Sequence, residues 1–393
     1  MREGVQQKRL AELFAFKNGR SFKKEEWSNN GLPIIRIQNL NSEDAPFNYF
    51  SGEYSRDILV NPGDLLFSWS GTVGSSFGSH LWNGEAGLLN QHIFKIGLRD
   101  NIIKRYAFYG LRQITEEIER SVNGAVGLVH ITKEKLNEFT LPLPPVTEQQ
   151  RIVGILDRAF EGIVSAKANS EKNLQNARAL FESYLQSVFA GSGRGWDHKQ
   201  LRDFCSFENG DRGTNYPSKS ARTITGIPFI NAGHLSEDGI DLDAMNYISR
   251  ERFNLLSNGK IRKGDILFCL RGSLGKFASV GELSEGAIAS SLVIVRPEKT
   301  VLNEFLVAYF RSQICSDMIN RFKNGAAQPN LSAQSLGKFI APIPPLAEQQ
   351  VIVEKLAGLR AETQRLESIY RQKLASLDAL KKSLLHQAFT GNL

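Results

Sequence analysis

Leu141-Pro-Leu-Pro-Pro-Val-Thr-Glu-Gln-Gln150 is the stretch that decides the fold of this chain. It returns 200 residues later as Ala341-Pro-Ile-Pro-Pro-Leu-Ala-Glu-Gln-Gln350. The two stretches are followed, again 200 residues apart, by Leu185-Gln-Ser-Val-Phe-Ala-Gly191 and Leu385-His-Gln-Ala-Phe-Thr-Gly391. Because the offset is the same at both ends, the sequence contains a long internal duplication.

Each copy is predicted to form one long helix. Prolines can precede a helix but cannot continue inside it, and Thr147-Glu-Gln-Gln150 has the composition of a helix cap and first turn. Gly191 and Gly391 are the predicted ends. A helix of about 43 residues is about 65 Å long and is not stable alone in water. We therefore expect the two helices to pair with each other.

A repeated apolar seam supports this pairing. In the first helix, alternating steps of four and three residues select Ile152, Leu156, Ala159, Ile163, Ala166, Ser170, Asn173, Ala177, Leu180, Tyr184 and Ser187. In the second helix, they select Ile352, Leu356, Leu359, Thr363, Leu366, Tyr370, Lys373, Leu377, Leu380, Leu384 and Gln387. Eight of the eleven positions are apolar in each helix, which is typical of a coiled coil. The alternative is two unrelated amphipathic helices, each buried in its own domain.

The segments before the two helices also correspond. The aligned pairs are Asn61-Pro-Gly-Asp-Leu-Leu-Phe-Ser-Trp-Ser-Gly-Thr-Val-Gly74 with Arg262-Lys-Gly-Asp-Ile-Leu-Phe-Cys-Leu-Arg-Gly-Ser-Leu-Gly275, Leu32-Pro-Ile-Ile-Arg-Ile-Gln-Asn-Leu40 with Ile227-Pro-Phe-Ile-Asn-Ala-Gly-His-Leu235, and Val122-Asn-Gly-Ala125 with Lys323-Asn-Gly-Ala326. The first pair predicts glycine turns that lead into apolar strands, Leu65 to Phe67 and Ile266 to Leu270. Helices are predicted near Ile102 to Glu119 and Leu302 to Phe322.

Each half is thus predicted to be a mixed α+β globule followed by a long helix. The predicted bounds are 1–146 for the first globule, 147–195 for the first helix, 196–346 for the second globule and 347–393 for the second helix. The glycine-serine piece Gly191-Ser-Gly-Arg-Gly195 is the one stretch with the composition of a flexible joint.

Composition narrows the classes of protein. No run of 18 apolar residues occurs and no secretory hydrophobic region follows Met1, so we expect a cytoplasmic location. Cys205, Cys269 and Cys315 are scattered, which argues against a disulfide framework or a zinc site. A net charge of +7 and a pI near 9.2 permit nucleic-acid binding without demonstrating it.

No catalytic site is predicted from the residues. Gly71-Thr-Val-Gly74 and Gly272-Ser-Leu-Gly275 lack the lysine and the spacing of a phosphate-binding loop, and tight turns explain them better. The acidic residues are dispersed among basic ones rather than clustered around a metal. Glu148 and Glu348 repeat, but a first-turn carboxylate that interacts with helix N–H groups explains both.

Polar and aromatic loop residues remain as candidate DNA contacts. Arginine and lysine bind guanine and phosphate, while asparagine and glutamine match adenine. In the first half the candidates are Lys17, Asn18, Arg20, Lys23, Lys24, Arg36, Gln38, Asn39, Trp69, Ser70, Thr72, Asn90, Gln91 and His92. In the second half they are Asn209, Arg212, Asn215, Tyr216, Asn231, His234, Arg271, Ser273, Lys276, Gln328 and Asn330. For any single residue, an ordinary surface role is the alternative.

The paired Pro-x-Pro-Pro-x-x-Glu-Gln-Gln helices and the two Gly-Asp-x-Leu-Phe segments give the chain a strong resemblance to the specificity subunit, HsdS, of type I restriction-modification systems. The resemblance covers the whole chain. It implies an α+β fold with two tandem target recognition domains, β-helix-like and mixed α/β, at 1–146 and 196–346. It also implies that the spacer helices at 147–195 and 347–393 pair as an antiparallel coiled coil.

The resemblance further implies a function and partners. Such a subunit reads double-stranded DNA, binds two modification subunits that methylate adenine N6, and positions restriction motor subunits. It has no active site and binds no cofactor or metal itself, so S-adenosylmethionine, ATP and Mg²⁺ are expected on the partner subunits. Residues shared by both helix starts are assigned to partner docking or to folding: Glu148, Gln149, Gln150, Glu348, Gln349 and Gln350.

The duplication also predicts the form of the DNA target. Two similar domains joined by antiparallel helices meet the same face of a duplex about one helical turn, roughly 34 Å, apart. We expect two short half-sites with an unread gap, and we expect them to differ because the loops of the two halves differ. A coiled-coil adaptor that binds only proteins is one alternative, and a metal-dependent nuclease is another. A steep salt dependence of DNA affinity separates DNA binding from the adaptor.

Overall fold

The structure is a computed structural model that describes residues 5–42, 44–72, 75–99, 101–121, 128–190, 195–237, 239–243, 245–325 and 329–393. It divides into two compact units. Unit 1 contains residues 1–171 and 372–393, and unit 2 contains residues 172–371. Each unit thus combines one globule with part of both long helices. The predicted division of the chain into four segments stays a prediction.

Ten α-helices occur in the described part of the chain. They are α1 (Leu10–Leu13), α2 (Ile37–Asn41), α3 (Lys104–Ser121), α4 (Lys133–Glu138), α5 (Val146–Ala190), α6 (Arg250–Leu255), α7 (Asn303–Arg311), α8 (Gln313–Phe322), α9 (Ala333–Leu336) and α10 (Leu346–Thr390). The helix predicted near Leu302 to Phe322 is two helices, because Ser312 has an extended backbone and its side chain caps α8 by accepting a bond from the Cys315 N–H. None of these helices is long and apolar enough to cross a lipid bilayer.

The strands fall into two matching sets. Those of unit 1 are β1 (Gln6–Arg9), β2 (Phe14–Asn18), β3 (Leu32–Ile35), β4 (Asn48–Phe50), β5 (Leu59–Val60), β6 (Leu65–Ser68), β7 (Ser70–Thr72), β8 (Gly78–Leu81), β9 (Gly87–Leu89), β10 (Ile93–Leu98), β11 (Leu128–His130) and β12 (Thr140–Leu143). Those of unit 2 are β13 (Asp197–Gln200), β14 (Cys205–Asn209), β15 (Arg222–Thr223), β16 (Ile227–Ile230), β17 (Leu235–Ser236), β18 (Gly239–Ile240), β19 (Asn246–Ile248), β20 (Ile266–Cys269), β21 (Phe277–Ser279), β22 (Ala287–Ile288), β23 (Leu292–Pro297) and β24 (Ile340–Ile343).

Two four-stranded sheets form the frame of each unit. Their strand orders are β2-β10-β6-β8 and β4-β3-β9-β5 in unit 1, and β14-β23-β20-β21 and β15-β19-β16-β22 in unit 2. The first sheet of each unit is antiparallel. The second contains one parallel pair, β3 with β9 and β16 with β22. The sequence duplication therefore corresponds to a duplicated sheet architecture, and the predicted mixed α+β class is confirmed.

The Gly-Asp turns lead into the central strands as predicted. All four residues of β6 and of β20 are buried. Gly63 and Gly264, two residues before these strands, have φ angles of +83° and +85°, which only glycine adopts without strain. The following aspartates close the turns, because Asp64 accepts a bond from the Asn61 N–H and Asp265 accepts one from the Arg262 N–H, both at 2.8 Å.

The two long helices have 45 residues each and pair antiparallel within each unit. In unit 2, the Arg178 guanidinium bonds to Glu367 at 3.1 and 3.2 Å, while Lys355, which comes earlier in α10, lies 5.0 Å from the ring centre of the later Tyr184. In unit 1, Lys167 pairs with Asp378. The predicted helix pairing is confirmed.

Most positions of the predicted seam are buried or half-buried in both helices, and the clearest departures are Leu180 and Leu380. Ile152, Leu156, Ile352 and Leu356 are buried, but Leu180 and Leu380 are 58 % and 46 % exposed. Four residues beside the seam are also buried near the helix ends: Leu185, Phe189, Leu385 and Phe389. Leu385 and Phe389 pack in the core of unit 1, and Leu185 and Phe189 pack in the core of unit 2. The ends of the long helices are therefore buried against the globules as well as along the seam.

The helix ends also differ slightly from the prediction. α5 begins at Val146, one residue before Thr147, and the Pro145 carbonyl accepts the first bonds, from the N–H groups of Glu148 and Gln149 at 2.9 and 3.0 Å. The predicted end of α5, Gly191, lies outside the described residues. The predicted end of α10 is confirmed, since Gly391 has a φ of +82° and the next N–H, of Asn392, bonds back to the Gln387 carbonyl.

Candidate DNA-recognition surface

A two-stranded edge beside the central sheet of unit 1 gathers several predicted contact residues. β7 pairs antiparallel with β11, which places Ser70 opposite His130. The ring of Trp69 lies 4.7 Å from the His130 ring and 5.3 Å from the His92 ring, centre to centre. Gln91 Nε2 and His92 Nε2 are 3.1 Å apart. The structure thus brings Trp69, Gln91 and His92 together and adds His130, which the sequence reasoning missed.

The sequence held only a weak signal for His130. The shared Asn-Gly-Ala segments are 201 residues apart, whereas the Pro-x-Pro-Pro segments are 200 apart. A one-residue gap therefore lies between these segments, and its position decides whether His130 aligns with Asn330. The backbone pairing resolves this point, because His130 pairs with Ser70 and Asn330 pairs with Arg271, and these two partners correspond in the aligned Gly-Asp segments.

The equivalent edge of unit 2 carries different side chains. Arg271 pairs with Asn330, and Asn330 also pairs with Asn324, in antiparallel bridges. Two backbone bonds of 2.9 and 2.8 Å join Asn324 and Asn330. Ser273 and Lys276 follow in the adjoining turn and are exposed, as is Arg271. Four predicted contact residues of unit 2 are therefore neighbours: Arg271, Ser273, Lys276 and Asn330.

A second group of candidates in unit 1 lies near β3 and β9. Arg20 bridges to Asn90 through the backbone. Its guanidinium carbon lies 4.9 Å from the ring centre of Phe22 and 4.8 Å from that of Phe50, and it forms an ion pair with Glu26. Because the charge of Arg20 is compensated inside the unit, this residue supports the local fold as well as being a candidate contact.

The remaining candidates of unit 1 are placed as follows. Lys17 pairs with Asp57, and Arg36 donates to Asn48 Oδ1 at 3.1 Å. Gln38 is exposed and donates to the Pro46 carbonyl at 2.9 Å. The others are exposed side chains: Asn18, Lys23, Lys24 and Thr72. Their role in DNA contact stays a prediction.

Three candidates have buried side chains. Asn39 is 6 % exposed, and its amide group donates to the Ala45 and Pro46 carbonyls. His234 is 6 % exposed, and its Nδ1 accepts a bond from the Asn231 N–H at 3.1 Å. Ser70 is 7 % exposed. The burial of these three side chains does not support the prediction that they contact DNA.

The other candidates of unit 2 differ in exposure. Asn209 and Arg212 are exposed, and the Arg212 guanidinium donates to the Ser290 carbonyl at 3.3 Å. Asn215, Tyr216 and Asn231 are half-buried, and Asn215 donates to the Leu255 carbonyl at 3.1 Å. Gln328 lies outside the described residues.

Comparison with known proteins identifies the family. Residues 2–175 and 193–374 match the model of the "Type I restriction modification DNA specificity domain". The chain belongs to this family. The type I restriction enzyme EcoBI specificity subunit of Escherichia coli is 27 % identical, over 96 % of this chain and 83 % of the relative. The MjaVIII specificity subunit of Methanocaldococcus jannaschii is 23 % identical, over 88 % of this chain and 85 % of the relative.

Solved structures show the same fold. A chain from a structural study of complex assembly and conformational transition in the type I R-M system has a TM-score of 0.80 at 19 % identity, covering 100 % of this chain and 99 % of that one. The HsdS subunit from Thermoanaerobacter tengcongensis has a TM-score of 0.63 at 19 % identity, covering 100 % and 98 %. The prediction of a type I restriction-modification specificity subunit is confirmed. Such subunits are non-catalytic, and nothing in the comparisons supports the protein-only adaptor.

Two of the predicted docking residues of this specificity subunit are internal. Gln149 is 0 % exposed, and its side chain accepts a bond from the Ile103 N–H and donates to the carbonyls of Asn101 and Pro144, each at 2.9 Å. Gln349 is also 0 % exposed and makes the same three bonds, at 2.8, 3.1 and 2.9 Å, with Leu302, Thr300 and Pro344. Because both side chains are enclosed, the prediction that they dock a partner is wrong, and their role is in folding.

The other shared residues at the helix starts remain candidates for docking. Glu148 forms a two-bond ion pair with Arg151 at 2.8 Å. Glu348 accepts a bond from Trp196 Nε1 at 3.0 Å. Gln150 is exposed, and Gln350 donates to Glu354 at 2.8 Å. These side chains reach the surface, so a partner can contact them.

Ion pairs at corresponding positions stabilise the central sheets of both units. Asp64 pairs with Lys95 at 2.8 Å, and Asp265 pairs with Arg296 at 2.8 Å in the same arrangement. Burial raises the pKa of Asp265 although the Arg296 guanidinium opposes this shift. Burial also acts to raise the pKa of Glu208, but hydrogen bonds from Arg296 and from the Gly259 N–H outweigh it and lower that pKa. These carboxylates are structural ion-pair partners, since each is bound to a cation of the frame.

The structure contains no group of three or more histidine, cysteine, aspartate or glutamate residues placed to hold a metal ion, as far as the described residues go. The buried cysteines have no reactive environment. Burial raises the pKa of the Cys205 and Cys315 thiols, which disfavours the thiolate.

Proposed function

We propose that this specificity subunit reads a bipartite, asymmetric DNA sequence, with one half-site for each unit. The observation that carries the proposal is the duplicated edge beside the central sheet. In both units the same backbone pairing presents one exposed polar side chain, His130 in unit 1 and Arg271 in unit 2, while Ser70 is buried and Asn330 is half-buried. Two units with the same backbone pairing and different side chains favour two different short half-sites, separated by bases that neither unit contacts.

The proposed partners are DNA, two modification subunits and the restriction subunits. The chain acts in the cytoplasm, where the DNA is. The paired ends of α5 and α10 support docking of modification subunits, because Glu148, Gln150, Glu348 and Gln350 are accessible there. In this proposal S-adenosylmethionine, ATP and Mg²⁺ are bound by the partner subunits, and adenine N6 is the methylated atom.

Methylation mapping tests the proposal. The chain is expressed with its modification subunits in cells that lack other adenine methylation, and N6-methyladenine is located by sequencing. The expected result is one motif of two unlike halves separated by a constant gap, absent when the chain is omitted. A motif without a gap, two identical halves, or methylation that does not depend on the chain would contradict the proposal.

Binding of the complex to DNA provides a second readout. Contacts with phosphates release counterions, so the logarithm of the affinity falls linearly with the logarithm of the salt concentration. We expect a steep slope for duplexes with and without the target, and tighter binding to the target at each salt concentration. A protein-only adaptor shows neither the slope nor the preference.

A further inference from the structure

We propose that His130 in unit 1 and Asn330 in unit 2 are equivalent base-reading residues, and that the difference between them helps to make the half-sites different. The inference rests on the proposed function and assigns part of it to two positions. His130 lies outside every segment that the sequence duplication aligns.

The equivalence of these positions follows from the backbone. In unit 1, the Trp69 carbonyl accepts a bond from the Ile131 N–H at 3.0 Å, directly after His130. In unit 2, the Leu270 carbonyl accepts a bond from the Leu331 N–H at 2.9 Å, directly after Asn330. Trp69 and Leu270 occupy corresponding positions after the Gly-Asp turns. The two bonds therefore place His130 and Asn330 at corresponding positions in their units.

Side chains at this shared place differ in their hydrogen-bonding groups. His130 is exposed and pairs with Ser70, whose own side chain is buried, so the imidazole is the polar group that the pair presents to solvent. Asn330 pairs with Arg271, which is exposed and forms no ion pair with a described residue. An asparagine amide can donate to and accept from adenine, and a guanidinium can donate twice to guanine. The two units therefore present different hydrogen-bonding patterns on one frame.

Two polar atoms near His130 have no hydrogen-bond partner among the described residues. Trp69 Nε1 and His92 Nδ1 are buried atoms without a hydrogen bond to any described residue. Both rings belong to the cluster that contains His130. Buried polar atoms are normally paired, so an unpaired one calls for an explanation, and a bound water or ligand is one such explanation. A polar ligand at this edge of unit 1, such as a DNA base, would give these two atoms partners.

Hydrogen bonds within unit 2 hold Asn330 and its neighbour Lys276 in place. Asn330 is fixed on both sides, by its bridge to Arg271 and by two backbone bonds to Asn324. The neighbouring Lys276 is also positioned, because its Nζ donates to the Ala232 carbonyl at 3.0 Å. A reader on a fixed backbone loses little conformational freedom on binding, which favours discrimination between bases.

Exchange of the two side chains tests the inference. His130→Asn and Asn330→His are each prepared in the full chain and assembled with the modification subunits. Methylation is measured on a DNA library in which every position of both half-sites is randomised in turn. We expect each variant to change base preference in one half-site only, by about five- to 150-fold at the position read. The two variants should affect opposite halves of the motif.

Controls separate this inference from the proposed function and from misfolding. His198→Asn changes an exposed histidine on β13, away from the edge, and should leave both half-sites unchanged. If either exchange variant lowers the melting temperature, His130→Gln or Asn330→Gln replaces it, and the same half-site must change. Unchanged preference, or equal change in both halves, overturns the inference while the wild-type motif stands. Failure of the wild-type complex to show a bipartite motif is instead a failure of the proposed function.

Discussion

The side-chain oxygen of Gln149 accepts a hydrogen bond from the Ile103 N–H at 2.9 Å, which ties the first turn of α5 to the segment that opens α3. Gln349 repeats this bond with Leu302 at 2.8 Å in unit 2. The first glutamine of the Glu-Gln-Gln motif, Gln149 or Gln349, is therefore a junction between the globule and the long helix.

Replacement of this glutamine should destabilise its unit. Gln149→Ala leaves one N–H and two carbonyls without their partner, and we expect a loss of about 2 to 4 kcal/mol in the free energy of unfolding. Thermal unfolding followed by circular dichroism measures the effect. The adjacent, exposed Gln150→Ala is the matched control and should change stability by less than about 0.5 kcal/mol. Equal losses of stability in the Gln149→Ala and Gln150→Ala variants would contradict this role of Gln149.

Asp211 should make stability depend on pH in the acid range. Hydrogen bonds from the N–H groups of Gly213 and Ser257, at 2.7 and 2.8 Å, lower the pKa of its carboxyl group. A carboxyl with a lowered pKa stabilises the folded state above its unfolded pKa, which is about 3.9, and this contribution is lost as the pH falls through the folded pKa.

The measurement is the melting temperature between pH 2.5 and 7. Asp211→Asn removes the charge, so the stability difference between wild type and variant should be largest above about pH 4 and should shrink below it. The exposed Asp243→Asn serves as the control and should show no such trend. A difference that stays constant over this pH range would exclude the charge of Asp211 as the cause.

Arg271→Ala should weaken recognition of one half-site only. The guanidinium is exposed on the edge of unit 2, at the position that corresponds to Ser70 in unit 1. Loss of a base contact costs about 1 to 3 kcal/mol, measured as the ratio of methylation rates on matched and single-base-substituted targets. Arg250→Ala removes an arginine that is already paired with Glu285 and is the control. Equal weakening of both half-sites would argue against Arg271 as a reader.

Lengthening both long helices should change the gap between the half-sites. Insertion of seven residues into the middle of α5 and of α10 keeps the phase of a coiled-coil seam and adds about 10.5 Å of helix. At about 3.4 Å per base pair, the tolerated gap should lengthen by up to about three base pairs. Methylation mapping on targets with graded gaps measures this change. A preferred gap equal to that of the wild type would show that the helices do not set the spacing.

The sequence could not predict which candidate contact residues are exposed. Asn39 and His234 are polar residues in corresponding segments and were both predicted contacts, yet both are buried and bonded to nearby backbone. Gln149 looked like a surface residue of an exposed helix start and is enclosed. In each case burial depends on how neighbouring elements pack, and no local pattern of residues encodes that packing.

What the sequence determined by itself was the duplication, the two long helices, the Gly-Asp turns into the central strands, and the family. These features depend on residue spacing and on local backbone preferences, which can be read along the chain. The tertiary structure alone decided that His130 and Asn330 occupy equivalent places, that the ends of the long helices pack against the globules, and that Gln149 and Gln349 are internal. These depend on contacts between residues far apart in sequence, since strand pairing and side-chain burial exist only once the chain has folded.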